Sequence, residues 1–271
     1  MILVEIIILT IFFVIMLLSF GGIYTLIRNQ SNKNIQKTFG KDNYVWFCFI
    51  GTPIHELCHW IACKIFRHKV TKVKLLSLKE WKKSGQLGCV EHSYNPKKIY
   101  QMAGNFIIGI APIIGGIGIS YLIMKICLNG GTFIPEIENI SLTTIINSFK
   151  QMFVELIGVF SINNIKSPMF WLGLFVLANI FLHVSISKAD LKNAAIGIIF
   201  FIILIPLFSI LFSFTGIAPA DFALWCFKVN FVFLFMLIFG LFIDILILLF
   251  SMLAFKIKKI YYKKVKKLII K

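Results

Sequence analysis

Long apolar runs, separated by short polar segments, dominate the pattern of hydrophobic and polar positions along this chain. An apolar run of about 20 residues is long enough to cross the hydrocarbon core of a bilayer as a helix. We therefore predict an all-α polytopic membrane protein with about six transmembrane helices. The predicted spans are residues 2–26, 44–65, 99–126, 169–185, 191–214 and 229–255.

Four segments outside these runs have patterns of their own. Residues 68–78 alternate polar and apolar positions, and residues 85–95 follow after a lysine-rich stretch, with glycine and asparagine at their limits. This pair predicts a small cytoplasmic β-hairpin or sheet. We expect residues 143–160 to form a helix on the external membrane surface. Residues 255–271 alternate lysine clusters with apolar pairs, which is typical of an interfacial cationic helix.

The composition also favours a membrane protein. Hydrophobic residues make up 59% of the chain and charged residues 14%, whereas soluble domains are about a quarter charged. We find no internal repeat and no low-complexity linker, so we predict a single membrane domain over residues 1–271. Within it we expect a first span at 1–27, a core at 44–215, a last span at 216–255 and a basic cytoplasmic tail at 256–271.

The net charge of +17 is concentrated in two places. Basic residues outnumber acidic ones within residues 64–98, and the tail at 256–271 carries eight lysines and no acidic residue. Because Lys and Arg accumulate in cytoplasmic loops, both segments are predicted to be cytoplasmic and residues 127–167 external. With six spans, both termini then lie in the cytoplasm. With this orientation, the basic residues between 28 and 41 are expected in an external loop, which is an exception to the cytoplasmic preference of Lys and Arg.

A positive charge of this size also occurs in proteins that bind nucleic acid. Here the lysines follow directly after predicted spans, where anionic lipid headgroups account for them more simply. We therefore predict a multi-pass protein of the cell membrane whose basic tail contacts anionic lipid, with no nucleic-acid partner.

The candidate chemistry lies in the sequence HELCH, inside the apolar run at 44–65. On a helix, the rings of His55 and His59 point the same way, one turn apart. Two such imidazoles can bind one zinc ion at about 2.0–2.1 Å. Glu56, beside the first ligand, can take a proton from water without binding the metal. The motif therefore predicts a zinc site with Glu56 as the catalytic base.

A catalytic zinc needs a third protein ligand. Asp190 begins a predicted span close to the cytoplasmic face, and His59 lies five residues before Lys64, at a similar depth. This match favours Asp190. His183 and Asp244 remain alternatives, although Asp244 lies near the centre of the last predicted span, where a role in helix packing is the simpler interpretation.

A resemblance follows from these residues. The HELCH sequence in a predicted transmembrane helix, followed by an Asp that opens another membrane segment, resembles the site-2 protease family of intramembrane zinc metalloproteases. The resemblance covers residues 44–215 and implies that His55, His59 and Asp190 bind zinc and that Glu56 is the base. The sequence ANIFLHVSISKADLKNA around Asp190 lacks the prolines and the following glycine of the family's second motif.

The resemblance implies an endopeptidase that cuts a transmembrane segment of another membrane protein near its cytoplasmic side. Asn105, in MAGNFIIGIAP, and His183 are the candidates for stabilising the tetrahedral oxyanion. Residues 68–78 or 85–95 are candidates for binding the substrate as an added strand.

Two other classes of function remain open at the level of sequence. A non-catalytic membrane scaffold or regulator could retain the same fold, and the altered second motif favours it. An ion transporter could use Asp244 and the histidines, but it would need a polar pathway across several spans.

Overall fold

The computed structural model describes residues 2–128, 133–184 and 187–269. Most of these residues are helical, and the chain forms one small antiparallel sheet among them. The elements in chain order are α1 (Ile2–Phe39), a 3-10 helix (Asn43–Phe47), α2 (Gly51–Ile65), β1 (Lys69–Lys74), α3 (Leu78–Ser84), β2 (Cys89–Ser93), α4 (Ile99–Cys127), α5 (Leu142–Gly158), α6 (Ile162–Lys166), α7 (Pro168–Phe181), α8 (Lys188–Ser213) and α9 (Pro219–Ile269).

Several of these helices can cross a membrane, which confirms the predicted class of protein. Among the described residues, four helical stretches are long and apolar enough to do so. They are Ile2–Phe39, Ile99–Cys127, Leu142–Lys166 and Pro219–Lys263. Helix α8 makes a fifth if its two parts, Ala189–Ala195 and Gly197–Ser213, which are bent by 50°, count as one span. The predicted number of six is not confirmed.

The predicted span at 44–65 is divided in the structure. Its first part forms the 3-10 helix, and only Gly51–Ile65 is α-helical. Pro53 lies in the first turn of α2, where a helix makes no use of the backbone N–H that proline lacks. A proline further along a helix would disrupt it, so Pro53 favours a start close to Gly51. At 1.5 Å per residue, the 15 residues of α2 reach about 22 Å, which is shorter than a bilayer core of about 30 Å.

The helix expected at 143–160 is present as α5, which begins at a capping box formed by Ser141 and Thr144. Together with α6 it forms the 25-residue stretch Leu142–Lys166, whose length and hydropathy suit a membrane span. We expected α5 to lie on the membrane surface. Its length and hydropathy are equally compatible with a span, so they do not distinguish the two positions. The span expected at 169–185 corresponds to the shorter apolar helix α7.

The predicted small sheet is confirmed as a pair of antiparallel strands. Val70 lies opposite His92 and Lys74 opposite Cys89, with an irregularity just after Val70. The lysine-rich connection is not a turn but the short helix α3. Ser77 caps α3 by accepting a hydrogen bond from a backbone N–H in its first turn, as N-cap serines do.

Helices α1 and α9 form a parallel pair along their whole shared length. The start of α1 contacts the start of α9, and the end of α1 contacts a later part of α9. Their hydrogen bonds join Asn230 to Leu9, Tyr24 to Leu237, and Asn34 to Ser251. Residue 2 and the basic tail therefore lie at opposite ends of this helix pair.

Lys258 joins α9 to the last turn of α1, at the end of the helix pair that carries the basic tail; we call this the basic end. Its Nζ donates hydrogen bonds to the carbonyl oxygens of Lys37 (2.9 Å) and Thr38 (2.6 Å) in the last turn of α1. A lysine there is favourable because the last carbonyls of a helix have no intrahelical partner. Residues 28–41, which we expected to form an external loop, are helical as far as Phe39 and lie at the same end as the tail. The described part of the tail continues α9 as one helix of 51 residues and is not a separate interfacial helix.

The centre of the fold is α4, which packs against α2, α7 and α8. Glycine allows its closest approach to α8. A Cβ atom at Gly109 would lie 2.5 Å from the carbonyl oxygen of Asp190 and 2.9 Å from the Cβ of Ala194. The first turn of α8 therefore touches the backbone of α4 directly, as small residues permit between membrane helices.

Gly109→Ala should destabilise the protein by about 1–3 kcal/mol, because the new methyl group meets the backbone of α8. Gly118→Ala, on the same helix, is the control, since a Cβ there meets no atom within 4 Å. Thermal unfolding of the two variants in detergent should show a lower Tm for Gly109→Ala only. Equal Tm values would mean that α4 and α8 are not in contact at Gly109.

Candidate metal centre

Three side chains of the described residues converge where α2 meets the start of α8. The ligand atoms of His55, His59 and Asp190 all lie within 4.8 Å of one another. Nε2 of His59 is 3.2 Å from Nε2 of His55 and 3.3 Å from Oδ1 of Asp190. His59 is buried, and the other two are half-buried. The sequence-based choice of Asp190 over His183 and Asp244 agrees with this geometry.

Local structure sets the position of each of these groups. The two imidazoles lie one helical turn apart on α2, with ring centroids 4.9 Å apart. Asp190 is the third residue of α8, and it forms a capping box with Ser187. The backbone N–H of Ser187 donates to Oδ2 of Asp190 at 2.9 Å. One carboxylate oxygen therefore caps the helix while the other, Oδ1, faces His59.

Backbone carbonyls fix the tautomers of both rings. Nδ1 of His55 lies 2.8 Å from the carbonyl oxygen of His183, and Nδ1 of His59 lies 2.9 Å from that of Ile108. A carbonyl oxygen can only accept, so each Nδ1 carries the proton. In the neutral rings, each Nε2 then has a lone pair, and the two lone pairs face each other. This is the usual arrangement of metal-binding histidines, whose other nitrogen donates to a carbonyl.

A divalent cation is the group that fits these converging lone pairs. Two acceptors at 3.2 Å, with a carboxylate oxygen 3.3 Å from one of them, repel one another unless a positive charge lies between them. Four ligands arranged tetrahedrally at about 2.0–2.1 Å from a zinc ion are separated from each other by about 3.3 Å. The residues present therefore suit zinc in both chemistry and spacing.

Glu56 lies beside this centre, under the segment that leads into β2. A Cβ atom at Gly88 would be 2.6 Å from Cγ of Glu56 and 2.9 Å from the carbonyl oxygen of Leu75. Only a glycine permits the segment to pass this close. The side chain of Glu56 therefore lies between α2 and the segment that leads into β2, and Glu56 is not one of the three clustered candidate ligands.

A cavity of about 480 Å³ opens onto the centre, which is within the range of ligand-binding sites. It is lined by residues of α1, α2, α8 and the segment from residue 85 to β2. Glu56, the three ligand residues and His92 all contribute to its wall.

The two residues predicted to stabilise an oxyanion have different places. His183 lines the cavity, where its backbone carbonyl orients His55 and its own Nδ1 donates to the carbonyl oxygen of Asn179 at 3.0 Å. Asn105 is fully buried, and its amide nitrogen donates to the carbonyl oxygen of Met102. It is not among the described residues that line the cavity, so the structure does not bring it to the centre.

Asp244, the more distant alternative for the third ligand, is fully buried in α9. It is not part of the cluster of ligand atoms that the described residues form. Its position agrees with the interpretation that it belongs to the packing of α9.

The structure adds a set of residues that sequence reasoning missed. Arg28, Asn32 and Gln36 line the cavity from α1, and Arg28 is the one Lys or Arg among the described lining residues. They follow one another at intervals of four, so they share one face of the helix. This spacing was a readable signal, but we had assigned these positions to an external loop.

No protein-family model matches this chain, and no curated protein or solved structure matches it. The resemblance to the site-2 protease family therefore rests on the HELCH sequence and Asp190.

Asp190→Asn should weaken zinc binding by at least about 100-fold, since changes even in the groups that orient ligands cost 10–100-fold. The amide keeps the shape of the side chain and can still accept the hydrogen bond from Ser187. Asp221→Asn is a matched control, because Asp221 lies in the first turn of α9 and is exposed. Zinc content after dialysis against a competing chelator measures the effect, and full retention by Asp190→Asn would exclude Asp190 as a ligand.

Proposed function

We propose that this protein is an intramembrane zinc metalloendopeptidase that hydrolyses a peptide bond in or near a transmembrane segment of a membrane-protein substrate. The observation that carries the proposal is the meeting of His55, His59 and Asp190 at metal-binding distances, with both Nδ1 atoms engaged by backbone carbonyls. The cavity that opens onto this cluster also contains Glu56.

His55, His59 and Asp190 would hold the zinc ion. When bound, zinc polarises the scissile carbonyl and makes water more acidic. Glu56 takes a proton from the attacking water and delivers it to the nitrogen of the leaving amine. A site that bound zinc only for stability would not need a carboxylate directly after its first ligand, and Glu56 therefore favours an enzyme over a scaffold.

The segment that leads into β2, and β2 itself, are the parts of the sheet that suit a substrate. A peptide must be extended to be cleaved, and an extended peptide can pair with the free edge of a strand. Residues 85–92 line the cavity, whereas no described residue of β1 does so. We infer that the substrate pairs along 85–95 and not along 68–78, the two segments that the sequence had left open.

The metal centre lies toward the basic end of the α1–α9 pair. Arg28, Asn32 and Gln36, from the second half of α1, share its cavity. Because Lys and Arg accumulate on the cytoplasmic side, we infer that this end faces the cytoplasm and that cleavage occurs near that face. Since α1 and α9 are parallel, the amino terminus then lies on the opposite face, contrary to our expectation that both termini are cytoplasmic.

We propose anionic lipid as a second partner, at the same end of the protein. A surface groove between the end of α1 and the tail is lined by lysines and aromatic rings: Lys37, Phe255, Lys258, Lys259, Tyr262 and Lys263. Lysines near the membrane surface attract anionic headgroups by about 1 kcal/mol each. We keep the prediction that nucleic acid is not a partner.

Glu56→Gln should retain zinc and lose cleavage of a co-expressed single-span substrate by about 10²–10⁴-fold, the usual contribution of a general base. The amide has the same shape but cannot accept the proton. Glu138→Gln, at an exposed position, serves as the control. Undiminished cleavage by Glu56→Gln would exclude Glu56 as the general base. Absence of cleavage by the unsubstituted, zinc-loaded protein would remove the peptidase proposal and leave the scaffold as the alternative.

The orientation can be tested with reporter fusions at the two ends of the chain. A reporter after Lys271 should report the cytoplasm, and a reporter before Met1 should report the opposite face, because the parallel α1–α9 pair separates the two ends. Cytoplasmic signals from both ends would contradict this arrangement and restore the orientation expected from six spans.

A further inference from the structure

A second pair of histidines lies beside the metal centre. His68 immediately precedes β1, and His92 lies on β2 opposite Val70. Their Nδ1 atoms are 3.0 Å apart, and Nε2 of His68 lies 2.8 Å from the carbonyl oxygen of Gln101. Neither histidine belongs to the three-ligand cluster, and the peptidase proposal uses neither of them.

The hydrogen bonds determine where the protons are. The carbonyl oxygen of Gln101 can only accept, so Nε2 of His68 carries a proton. Burial lowers the pKa of His68, which favours the neutral ring with a lone pair on Nδ1. Nδ1 of His92 must then be the donor across the 3.0 Å contact. A neutral His92 consequently has its lone pair on Nε2.

His92 is the member of the pair that faces the site. It lines the cavity of the metal centre, as His59 and Asp190 do. None of the described residues forms a hydrogen bond with its Nε2. His68 is only 5% exposed and stacks on the ring of Tyr94 at 5.3 Å, so one end of the pair is anchored.

We propose that His92, oriented by His68, is a second proton-transfer group of this cavity. The inference rests on the proposed peptidase function and adds a catalytic residue to it. A base in an active-site cavity that is held in a fixed tautomer by a second group, and whose other nitrogen has a lone pair, is an arrangement suited to general acid–base catalysis.

The proton balance of peptide hydrolysis gives His92 a defined task. Water attacks the carbonyl carbon, the C–N bond breaks, and the products are a carboxylate and an ammonium group. Both protons of the water must therefore reach the amine nitrogen. Glu56 carries the first. Nε2 of His92 accepts the second, from the hydroxyl of the tetrahedral adduct, and donates it to the same nitrogen.

His68 supports this transfer without touching the substrate. When Nε2 of His92 gains a proton, its Nδ1–H bond to His68 becomes charge-assisted and therefore stronger. His68 in turn donates to Gln101, so the whole chain of hydrogen bonds keeps its direction. His68 is thus a positioning residue, and His92 is the group that exchanges the proton.

The first test does not involve activity. In zinc-free protein labelled with ¹⁵N-histidine, nitrogen chemical shifts assigned by single substitution should show His92 protonated at Nδ1 and His68 protonated at Nε2. His68→Phe, which removes the acceptor, should release His92 from the Nδ1–H tautomer. An Nε2–H tautomer of His92 in the unsubstituted protein would overturn the proposal, whatever the activity of the variants.

The second test separates chemistry from binding. In the zinc-loaded protein, His92→Gln should lower kcat by about 100-fold with little change in KM and none in zinc content, because a proton-transfer group contributes at least this much. His68→Phe should lower kcat to a smaller extent, by about 10-fold, on the same basis. Glu138→Gln, at an exposed position outside segment 85–95, should behave like the unsubstituted protein.

The two proposals fail in different ways. If Glu56→Gln is inactive while His92→Gln keeps an unchanged kcat, the peptidase proposal stands and the role of His92 is wrong. If the unsubstituted, zinc-loaded protein cleaves no substrate, the peptidase proposal itself falls, whereas the tautomers of His92 and His68 can still be measured. A parallel loss of zinc and activity in His92→Gln would make His92 a structural support of the metal centre and would also overturn the proton-transfer role.

Discussion

Two imidazole lone pairs and a carboxylate oxygen face one another inside a largely apolar protein, and the whole candidate site is built around this contact. In each ring, Nδ1 donates a hydrogen bond to a backbone carbonyl, that of His183 for His55 and that of Ile108 for His59. These bonds orient both Nε2 atoms toward the centre. Such a cluster is unfavourable without a cation, and burying polar groups among apolar helices adds to the cost. A bound metal relieves both effects.

Helix packing makes this contact possible. The carbonyl groups that orient the histidines come from α4 and from the turn after α7, while Asp190 comes from α8. These segments meet at the centre because glycine lies where their backbones approach, at Gly109 beside Asp190 and at Gly51 beside the carbonyl of Asn179. Gly88 has the same role for Glu56. The site is therefore a product of close backbone contacts between distant parts of the chain.

Local patterns predicted much of the fold, and their failures have a common cause. The long apolar helices, the two strands and the candidate ligands follow from periodicity and residue chemistry. The span at 44–65 was wrong because a run of apolar residues shows length but not conformation, and Pro53 with the preceding 3-10 segment limits α2 to 15 residues. The first span was also ended too early, at residue 26, whereas α1 continues to Phe39. This error hid the face of α1 that lines the cavity.

The sequence by itself determined that this is a membrane protein and which residues are candidate metal ligands, because hydropathy and the spacing in HELCH depend only on neighbouring residues. It also limited the third ligand to a few acidic or histidine side chains. Only the tertiary structure decided that Asp190 meets the two histidines, that Asn105 lies apart from them, and that His92 shares their cavity. Those relations join residues dozens of positions apart, and they depend on how the helices pack, which no local pattern specifies.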